Sequence, residues 1–262
     1  MLETLYVVKI GGNIIDHSEK LADFLQSFAA LPGKKILVHG GGKLATQLAE
    51  KMNVPQQMVE GRRITDAETL RIVTMVYAGD INKRVVAALQ SHGCNAIGLT
   101  GADGNAILAH KREKAGIDYG FAGDVDAVNA ELLHALLSLN MAVVLAPITH
   151  NGKGQLLNTN ADTIAQETAK GLSTHYNVQL IYSFEKSGVL LDANDDSTVI
   201  PSINPSYYQE LKSTEKIFAG MIPKLDNAFA AIRSGVGKVI IGKAEELPAL
   251  IAGAAGTSIV HE

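Results

Sequence analysis

Short runs of apolar and β-branched residues alternate along the chain with longer segments in which apolar residues recur about every 3.6 positions. The short runs predict strands at Leu5–Ile10, Lys35–Val38, Ala96–Thr100, Ala142–Ala146, Gln179–Tyr182 and Lys238–Ile241. The longer segments predict helices at Leu21–Leu31, Leu44–Met52, Ala67–Gln90, Ala130–Leu139, Thr163–Lys170 and Leu225–Arg233. This alternation predicts an α/β fold, with a mostly parallel sheet that helices cover on both faces.

Two stretches interrupt the alternation. Residues Asn105–Asp124 form mildly alternating polar runs around a glycine, a pattern that is typical of an antiparallel hairpin, and we expect the hairpin to lie over one end of the sheet. Near His175 the polar stretch "STHYN" follows a predicted helix. We therefore expect a soft boundary there, between a lobe of residues 1–175 and a lobe of residues 176–262.

Composition narrows the classes of protein. A net charge of −4 and the lack of Lys/Arg runs disfavour nucleic acid as a partner. No stretch approaches the roughly 20 apolar residues of a membrane span, and no signal-like segment is evident, so a cytoplasmic location without membrane contact is expected. Cys94 is the only cysteine in the sequence, which excludes an internal disulfide, and we expect it to be a small core residue.

Lys9 stands at the end of the first predicted strand, directly before Ile10 and the pair Gly11-Gly12. A lysine is rarely buried without a partner, because desolvating its ammonium group costs several kcal/mol. Lys9 therefore requires either a carboxylate or an anionic ligand. The two glycines leave backbone N–H groups uncovered, so that a phosphate could approach closely.

A second glycine-rich turn follows the next predicted strand. Gly40, Gly41 and Gly42 join that strand to a helix, an arrangement typical of an anion-binding turn. The same residues also match a weak dinucleotide-binding pattern, and a tight turn that binds no ligand is a further alternative. We expect the preceding residue, His39, to be a histidine at the edge of the core rather than a metal ligand.

Adjacent arginines, Arg62 and Arg63, precede the longest predicted helix in the segment "EGRRIT". A guanidinium group can bind a carboxylate through two hydrogen bonds, so one of these arginines is a candidate receptor for a carboxylate substrate. The alternative is that both side chains are solvated and that one of them pairs with Glu60.

Two further segments contribute charged candidates. In "LLNTNAD" Asp162 is either a functional carboxylate or a helix N-cap, a role that Asn160 could share. In "FAGMIPKLDNA" Pro223 is predicted to lie in the first turn of a helix, which places Lys224 at the positive end of the helix dipole. A cation is unfavourable there, and this suggests a functional role unless Lys224 simply extends into solvent.

Together, the candidates above could bind anions: they are two lysines, two glycine turns, the arginines and one aspartate. They include no evident nucleophile or general base. Such a set is suited to phosphoryl transfer, in which the protein mainly positions the reactants and neutralises charge.

Five segments in order across nearly the whole chain resemble the N-acetylglutamate kinase family of the amino acid kinase superfamily: "VVKIGGNII", "VHGGGKLATQL", "EGRRIT", "LLNTNAD" and "AGMIPKLDNA". The resemblance implies a three-layer αβα sandwich with an open, mostly parallel sheet. It assigns binding of the acylated amino acid and dimerisation to the N-terminal lobe, and ATP to the C-terminal lobe. The implied reaction transfers the ATP γ-phosphoryl group to the side-chain carboxylate of an N-acyl-L-glutamate, in arginine biosynthesis.

The resemblance also implies roles for individual residues. Lys9 and Lys224 would hold the transferring phosphoryl group and stabilise the transition state, while Asp162 would orient both lysines. The predicted ATP phosphate ligands are Gly11, Gly12 and Gly41. The predicted substrate-binding residues are Gly41, Gly42, Arg63 and Asn158. No carboxylate cluster suited to a metal is evident, so Mg²⁺ is expected to bind mainly through the ATP phosphates.

The sequence departs from the family pattern at two places. Glu185 and Lys186 replace the residues usual before the nucleotide loop, which leaves the nucleotide contacts open. Thr149 and His150 stand where a glycine is common, a change that could alter the acyl pocket. Acetyl is the acyl group that the family name implies, and a larger group such as succinyl remains an alternative.

Other functions remain open at this stage. A kinase for carbamate, aspartate, glutamate or a nucleotide belongs to the same superfamily, although "EGRRIT" and "LLNTNAD" favour the acylglutamate branch. A non-catalytic sensor of amino acids or nucleotides is a different class, which retention of both lysines and Asp162 disfavours.

The resemblance also concerns assembly, because arginine-inhibited relatives carry an additional N-terminal helix that joins dimers into hexamers. The first predicted strand begins within the first five residues, so we expect a homodimer that arginine does not inhibit. We expect the dimer contact on the predicted helix Ala67–Gln90, where Ile72, Met75, Val76 and Gly79 recur at helical spacing. The alternative is that this stripe only covers the sheet.

Overall fold

The computed structural model describes residues 2–59, 61–192, 194–214, 216–217 and 221–261. Glu60, the alternative partner for the adjacent arginines, lies outside the described residues, as do Phe218, Ala219 and Gly220 of the segment around Lys224.

The strands in the described part of the chain are β1 Thr4–Ile10, β2 Lys34–His39, β3 Met58–Val59, β4 Arg62–Arg63, β5 Ala96–Leu99, β6 Ile107–Lys114, β7 Ile117–Val128, β8 Ala142–Leu145, β9 Ile148–His150, β10 Leu156–Thr159, β11 Asn177–Phe184, β12 Ser202–Ile203, β13 Lys238–Lys243 and β14 Thr257–Ile259. The helices are α1 Gly12–Ile15, α2 Ser18–Ala30, α3 Gly42–Lys51, α4 Ala67–Thr74, α5 Asn82–Ser91, α6 Ala130–Ser138, α7 Ala161–Leu172, α8 Pro205–Ser213, α9 Ile222–Arg233 and α10 Leu247–Ala252.

A central sheet organises the fold, with the strand order β12-β14-β13-β11-β1-β2-β8-β5. Among the described strands its neighbours run parallel, except that β13 and β14 are antiparallel. The six strands predicted from the sequence all belong to this sheet, and the prediction of a mostly parallel sheet is confirmed. Parallel strands end at the same edge, so the loops after β1, β2, β8 and β11 lie together there.

Helices cover both faces of the central sheet, as predicted. Alternate residues of β1 point to opposite faces: Leu5 and Val7 pack in one hydrophobic cluster, while Tyr6, Val8 and Ile10 pack in the other. The first cluster also contains residues of α6, α7, α8 and α9, and the second contains residues of α2, α3, α4, α5 and α10. The protein therefore has the three-layer αβα architecture that the resemblance implied.

A smaller sheet of four strands is separate from the central one and closes into a barrel, with the strand order β10-β7-β6-β9. The hairpin predicted at Asn105–Asp124 is confirmed, since β6 and β7 pair in the antiparallel sense. The sequence pattern missed β9 and β10, which complete this sheet. These strands span only Ile148–His150 and Leu156–Thr159 and contain polar residues, so their pattern does not stand out from that of a loop.

The long helix predicted at Ala67–Gln90 consists of α4, a π-helical segment at Met75–Ile81, and α5. Ile72 and Val76 are buried in the second hydrophobic cluster, so the proposal that they form part of a dimer surface is wrong. These two residues cover the sheet, the role that the alternative gave to the whole stripe. Met75 and Gly79 are exposed.

The boundary predicted near His175 falls between α7 and β11. The central sheet continues across it, because β1 pairs with β11 from Thr4↔Asn177 to Lys9↔Tyr182. The assignment of different ligands to the two lobes stays a prediction. In the part of the chain that the structure describes, no helix combines the length and the apolar character needed to cross a membrane.

Candidate active site

The two glycine turns after β1 and β2 pack against each other at the edge of the central sheet. The backbone N–H of Gly40 donates to the carbonyl oxygen of Ile10 over 3.0 Å. A Cβ atom built on Gly40 would lie 3.9 Å from the backbone nitrogen of Gly12. The turns after two separate strands therefore face one shared space.

Gly41 requires a conformation that only glycine adopts readily, with φ at +148°. A Cβ atom on Gly41 would overlap the side chain of Ile81, and it would lie 3.1 Å from a ring carbon of Tyr77. The residue precedes α3, so the close approach of the π-helical segment to this turn is possible only because Gly41 has no side chain.

The first of two neighbouring cavities contains both predicted lysines, and it is here called the phosphate pocket after the ligand that the sequence predicts for it. Lys9 Nζ lies 2.8 Å from Asp162 Oδ1, and the Lys9 side chain is only 16% exposed. Gly11 lies beside the ammonium group, since its hypothetical Cβ would be 3.9 Å from Lys9 Nζ. The pocket is lined by Lys9, Gly11, Gly12, Ile14, Asp162, Tyr182, Ser183, Glu185, Lys224, Asn227 and Ile241.

Asp162 lies in the first turn of α7, and Asn160 caps that helix. The side-chain oxygen of Asn160 accepts hydrogen bonds from the backbone N–H groups of Asp162, at 2.8 Å, and Thr163, at 3.2 Å. The Asp162 carboxylate is therefore not needed as a cap, and it pairs with Lys9 instead. Of the two roles that the sequence left open, Asn160 is the helix cap and Asp162 is the carboxylate partner of Lys9.

Lys224 lies in the first turn of α9, as the position of Pro223 predicted. Burial lowers the pKa of the Lys224 ammonium, Asp162 raises it, nearby Lys9 lowers it, and Glu185 raises it again. Two ammonium groups and two carboxylates therefore lie within the same pocket. The two ammonium groups can donate charge-assisted hydrogen bonds to the oxygens of a phosphoryl group.

The second cavity adjoins the same glycine turns, and it is here called the substrate pocket after the ligand that the sequence predicts for it. Its lining consists of Gly40, Gly41, Gly42, Met58, Gly61, Arg62, Arg63, Tyr77, Ala122, Pro147, Asn158, Thr159, Asn160 and Ala161. Two residues of its lining lie beside residues of the phosphate pocket: Gly40 lies next to Gly12, and Asn160 accepts a hydrogen bond from the backbone N–H of Asp162. The two cavities are therefore adjacent, where β1, β2 and β10 end.

Arg63 is buried in the wall of the substrate pocket, with 8% of its surface exposed. Its Nη2 atom donates to the carbonyl oxygen of Gly42 at 2.9 Å and to Thr46 Oγ1 at 3.0 Å. Its Nη1 atom donates to Gln56 Oε1. Among the described residues these acceptors are neutral, so Arg63 is a fixed and nearly desolvated cation that can bind a carboxylate.

Asn158 lies on β10 and lines the substrate pocket. Its amide nitrogen donates to Thr65 Oγ1 at 3.0 Å, and its backbone pairs in register with Ala122 of β7. This hydrogen bond fixes the orientation of the amide, so the Asn158 side chain is a positioned polar group in the pocket wall.

His39 is fully buried and belongs to the core, as expected from the sequence. Its Nδ1 atom lies 2.8 Å from the carbonyl oxygen of Gly40, and its Nε2 atom lies 3.3 Å from Asn82 Nδ2. Burial lowers the pKa of His39 to about 4, so the ring is neutral at physiological pH. We infer that it supports the glycine turn.

Comparison with known proteins identifies the family. A model of the amino acid kinase family matches residues 4–243. The acetylglutamate kinase of Cytophaga hutchinsonii is 58% identical over 251 residues, which cover 95% of each chain. The chain belongs to the amino acid kinase family. Within it the chain groups with the acetylglutamate kinases, since the enzyme of that name from Phocaeicola vulgatus is also 54% identical over 92% of this chain and 94% of its own.

The fold of this amino acid kinase family member agrees with a solved structure at much lower identity. Giardia carbamate kinase superposes with a TM-score of 0.72 at 12% identity, and the match covers 100% of this chain and 99% of that one. At this identity the likeness concerns the fold alone, and it supports the αβα architecture described above.

The structure groups the predicted site residues of this family member into the two pockets. Lys9, Lys224, Asp162, Gly11 and Gly12 line the phosphate pocket, while Gly41, Gly42, Arg63 and Asn158 line the substrate pocket. Their chemical roles remain predictions. Gly41 was predicted to contact both ligands, and its position in the packed turns is compatible with that.

Several lining residues were not predicted. Tyr182, Ser183 and Asn227 line the phosphate pocket, but strand and helix patterns gave no signal for them. Tyr77 reaches the substrate pocket from the π-helical segment, which the 3.6-residue pattern does not distinguish from an α-helix. Arg62, next to the predicted Arg63, also lines this pocket, and the "RR" pair was the available signal for it.

The residues that depart from the family pattern differ in their positions relative to the two pockets. Thr149 is buried beneath the substrate pocket, where its hydroxyl group lies 2.8 Å from that of Thr159. His150 points elsewhere and lies 2.8 Å from Asn105 Oδ1. Neither residue lines the substrate pocket, whereas Glu185 does line the phosphate pocket.

Proposed function

We propose that this protein transfers the γ-phosphoryl group of ATP to the side-chain carboxylate of an N-acyl-L-glutamate, the activity that the name of its relatives indicates. The observation that carries the proposal is the contact between two pockets of complementary chemistry. Lys9 and Lys224 converge with Asp162 in one of them, and buried Arg63 lies in the wall of the other. The product would be an acyl phosphate, in arginine biosynthesis in the cytoplasm.

The reaction needs no general base. A glutamate side chain has a pKa of about 4.3, so it is already ionised at neutral pH. The difficulty is to bring an anionic carboxylate against an anionic phosphoryl group. The ammonium groups of Lys9 and Lys224 offset this repulsion, and they act in a pocket where burial strengthens their effect.

Backbone groups add to this stabilisation. The packed turns carry glycines at Gly11, Gly12 and Gly41, where no side chain would block the approach of a phosphate to the backbone N–H groups. Because the turns are held by the hydrogen bond from Gly40 to Ile10, their N–H groups need little reorganisation during transfer.

The distribution of lining residues supports the proposed division between lobes. Every residue that lines the substrate pocket precedes residue 175. The phosphate pocket also includes Tyr182, Glu185, Lys224, Asn227 and Ile241 from the second part of the chain. We therefore place the acyl amino acid in residues 1–175 and the nucleotide mainly against residues 176–262.

Mg²⁺ is proposed to accompany ATP. Asp162 and Glu185 are the carboxylates that line the phosphate pocket, and the described residues contain no cluster of three or more His, Cys, Asp or Glu side chains suited to a metal. This donor set fits an ion that binds mainly to phosphate oxygens. Bound there, Mg²⁺ would supply further neutralisation of phosphate charge.

A hydroxamate assay tests the proposed function. An acyl phosphate reacts with hydroxylamine to give a hydroxamate and free phosphate, and the hydroxamate forms a coloured complex with Fe³⁺. This product should form only when ATP and an N-acyl-L-glutamate are both present. Unacylated glutamate and aspartate should give no product, and carbamate should not support ATP consumption. Turnover of any of these instead, or binding without turnover, would favour the other kinases or the sensor.

Replacing Arg63 by alanine should raise the KM for the N-acyl-L-glutamate by about 10- to 100-fold, with a smaller change in kcat. The reason is that the contact with the α-carboxylate exists before as well as during transfer, so its loss weakens both states. Initial rates at saturating ATP measure this. Arg84→Ala is a matched control, because Arg84 is paired with Asp80 and lines neither pocket. An unchanged KM in Arg63→Ala would remove Arg63 from the site.

The protein is also proposed to form a homodimer. The predicted dimer contact lies on the helical segment that contains Met75. The Met75 side chain is 43% exposed and could contact a second copy, whereas Ile72 and Val76 are buried in the core. Light scattering should give twice the chain mass of 27.7 kDa. A monomer or a hexamer would contradict the proposal.

A further inference from the structure

Several buried polar atoms in the described side chains have no hydrogen-bond partner, and one of them belongs to the phosphate pocket. These atoms are Asp16 Oδ1 and Oδ2, Thr74 Oγ1, Arg112 Nε, Thr168 Oγ1, Gln179 Oε1 and Ser183 Oγ. Of these described residues, Ser183 is the one that lines the phosphate pocket. A buried hydroxyl group without a partner costs free energy, because it has lost its hydrogen bonds to water. A ligand of the pocket could supply the missing partner.

Ser183 lies near the carboxyl end of β11, and ligands of open α/β sheets bind at such strand ends. Its backbone is in register with Gly242 of β13, and 7% of its surface is exposed. The preceding residue, Tyr182, also lines the pocket, but its hydroxyl group donates to the carbonyl oxygen of Asp162 over 3.5 Å. A serine side chain has three staggered positions about its Cα–Cβ bond, so the Ser183 hydroxyl group can turn toward a ligand.

The charges of the phosphate pocket favour a neutral donor of this kind. The described lining contains the ammonium groups of Lys9 and Lys224 and the carboxylates of Asp162 and Glu185. The two carboxylates balance the two ammonium groups, whereas the phosphates of a nucleotide add further negative charge. A hydroxyl group can donate to a phosphate oxygen, and neighbouring carboxylates do not neutralise it as they neutralise an ammonium group.

The order of the strands places Ser183 away from the acceptor of the phosphoryl group. Strands β11, β1 and β2 are consecutive neighbours in the central sheet. Neighbouring strands lie about 4.8 Å apart, so β11 is roughly 10 Å from β2. The turn after β2 lines the substrate pocket. Ser183 is therefore placed to contact the part of ATP that remains as ADP, rather than the γ-phosphoryl group.

We propose that Ser183 is a nucleotide-binding residue, whose hydroxyl group donates a hydrogen bond to a phosphate oxygen that ATP and ADP share. The inference rests on the proposed function, because it takes a nucleotide to be the ligand of the phosphate pocket. It assigns Ser183 to binding and not to the transfer step. Loss of the hydroxyl group should therefore weaken the binding of ATP and of ADP by the same factor.

Calorimetric titration with ADP and Mg²⁺ measures this contact without turnover. Ser183→Ala should raise the Kd of ADP by about 10-fold or more, because the lost hydrogen bond is made to a charged group. In the hydroxamate assay the KM for ATP should rise by the same factor, with kcat nearly unchanged. A contact that is equally strong before and during transfer has this effect.

The stability of the nucleotide-free protein separates binding from a structural role. Alanine removes a hydroxyl group that has no partner in the described structure, so the melting temperature of Ser183→Ala should equal or exceed that of the wild type. ADP should then raise the melting temperature of this variant less than that of the wild type. Ser183→Cys keeps the shape of the side chain but donates only weakly, so it should also bind ADP poorly.

Thr168→Val is the matched control. Thr168 is fully buried and its hydroxyl group also lacks a partner, but Thr168 lines neither pocket. Removing this hydroxyl group should leave the Kd of ADP at its wild-type value.

An unchanged Kd of ADP in Ser183→Ala, or in Ser183→Cys if the alanine variant does not fold, would overturn the proposal. A lower melting temperature of nucleotide-free Ser183→Ala would overturn it too, because the hydroxyl group would then stabilise the fold. If the wild type forms hydroxamate and the Ser183 variants bind ADP normally, the proposed function stands and this inference fails. Absence of ADP binding to the wild type would contradict both.

Discussion

Replacing either Lys9 or Lys224 by alanine should lower kcat by about 100-fold or more, with smaller changes in both KM values. Each ammonium group lies in the phosphate pocket, where charge on the transferring phosphoryl group and on the attacking carboxylate is concentrated in the transition state. Loss of a preorganised charge contact of this kind acts mainly on kcat, because the contact is strongest in the transition state. Steady-state rates at saturating ATP and N-acyl-L-glutamate measure the effect.

The Lys51→Ala variant is the matched control for both substitutions. Lys51 is an exposed lysine at the end of α3 and lines neither pocket, so its loss changes net charge without touching the site. Melting temperatures show whether the variants fold. A folded Lys9→Ala or Lys224→Ala protein with nearly normal kcat would contradict the assigned role of that lysine.

The sequence predicted the central sheet well because its strands are buried on both faces. Such strands are continuous apolar runs, as in Val7 and Val8 of β1, and they contrast sharply with the helices between them. Lys9 differs from this pattern, and a charge at the end of such an apolar run needs a partner. That partner is Asp162, 153 positions later in the chain, and only the fold brings the two together.

The smaller sheet and its pocket were harder to predict. Strand β10 has only four residues, and two of them are Asn158 and Thr159, whose polarity is explained by the pocket they line. The local sequence does not show that these polar residues belong to a strand that lines a pocket. The prediction of a dimer surface is wrong for Ile72 and Val76, because periodicity shows that these two residues share a face but not which surface covers that face.

The sequence also could not distinguish the roles of the adjacent arginines, Arg62 and Arg63. From the segment "EGRRIT" either residue could be the receptor for a carboxylate. In the structure, Arg63 is anchored by Gly42, Thr46 and Gln56. Arg62 instead lies beside Arg112 and Asp124, which come from the hairpin. The two residues differ in burial and charge balance only because distant strands surround them.

Asp162→Asn should lower kcat at neutral pH by about 10-fold or more and move the alkaline limb of the kcat profile to lower pH. Asp162 does not need to touch the substrates for this effect, because it acts on the lysines as a positioning residue. Asparagine keeps the shape of the side chain and can still accept a hydrogen bond from Lys9. It cannot supply the negative charge that lies between the ammonium groups.

The direction of the pH shift follows from the charges around Lys224. Burial and Lys9 lower the pKa of its ammonium group, while Asp162 and Glu185 raise it, Asp162 more strongly. Removing the Asp162 charge therefore lowers the pKa of Lys224 further. A lysine with a lower pKa loses its proton at a lower pH, and transfer then loses a required positive charge earlier as pH rises.

Measurement of kcat between about pH 6 and 10 at saturating substrates tests this expectation. Asp80→Asn is the control, because Asp80 is an exposed aspartate that pairs with Arg84 outside both pockets. A lower kcat with an unmoved alkaline limb would mean that Asp162 only holds Lys9 in place. A limb that moves to higher pH would contradict the charge balance described here, because the carboxylate would then be destabilising the ammonium form of Lys224.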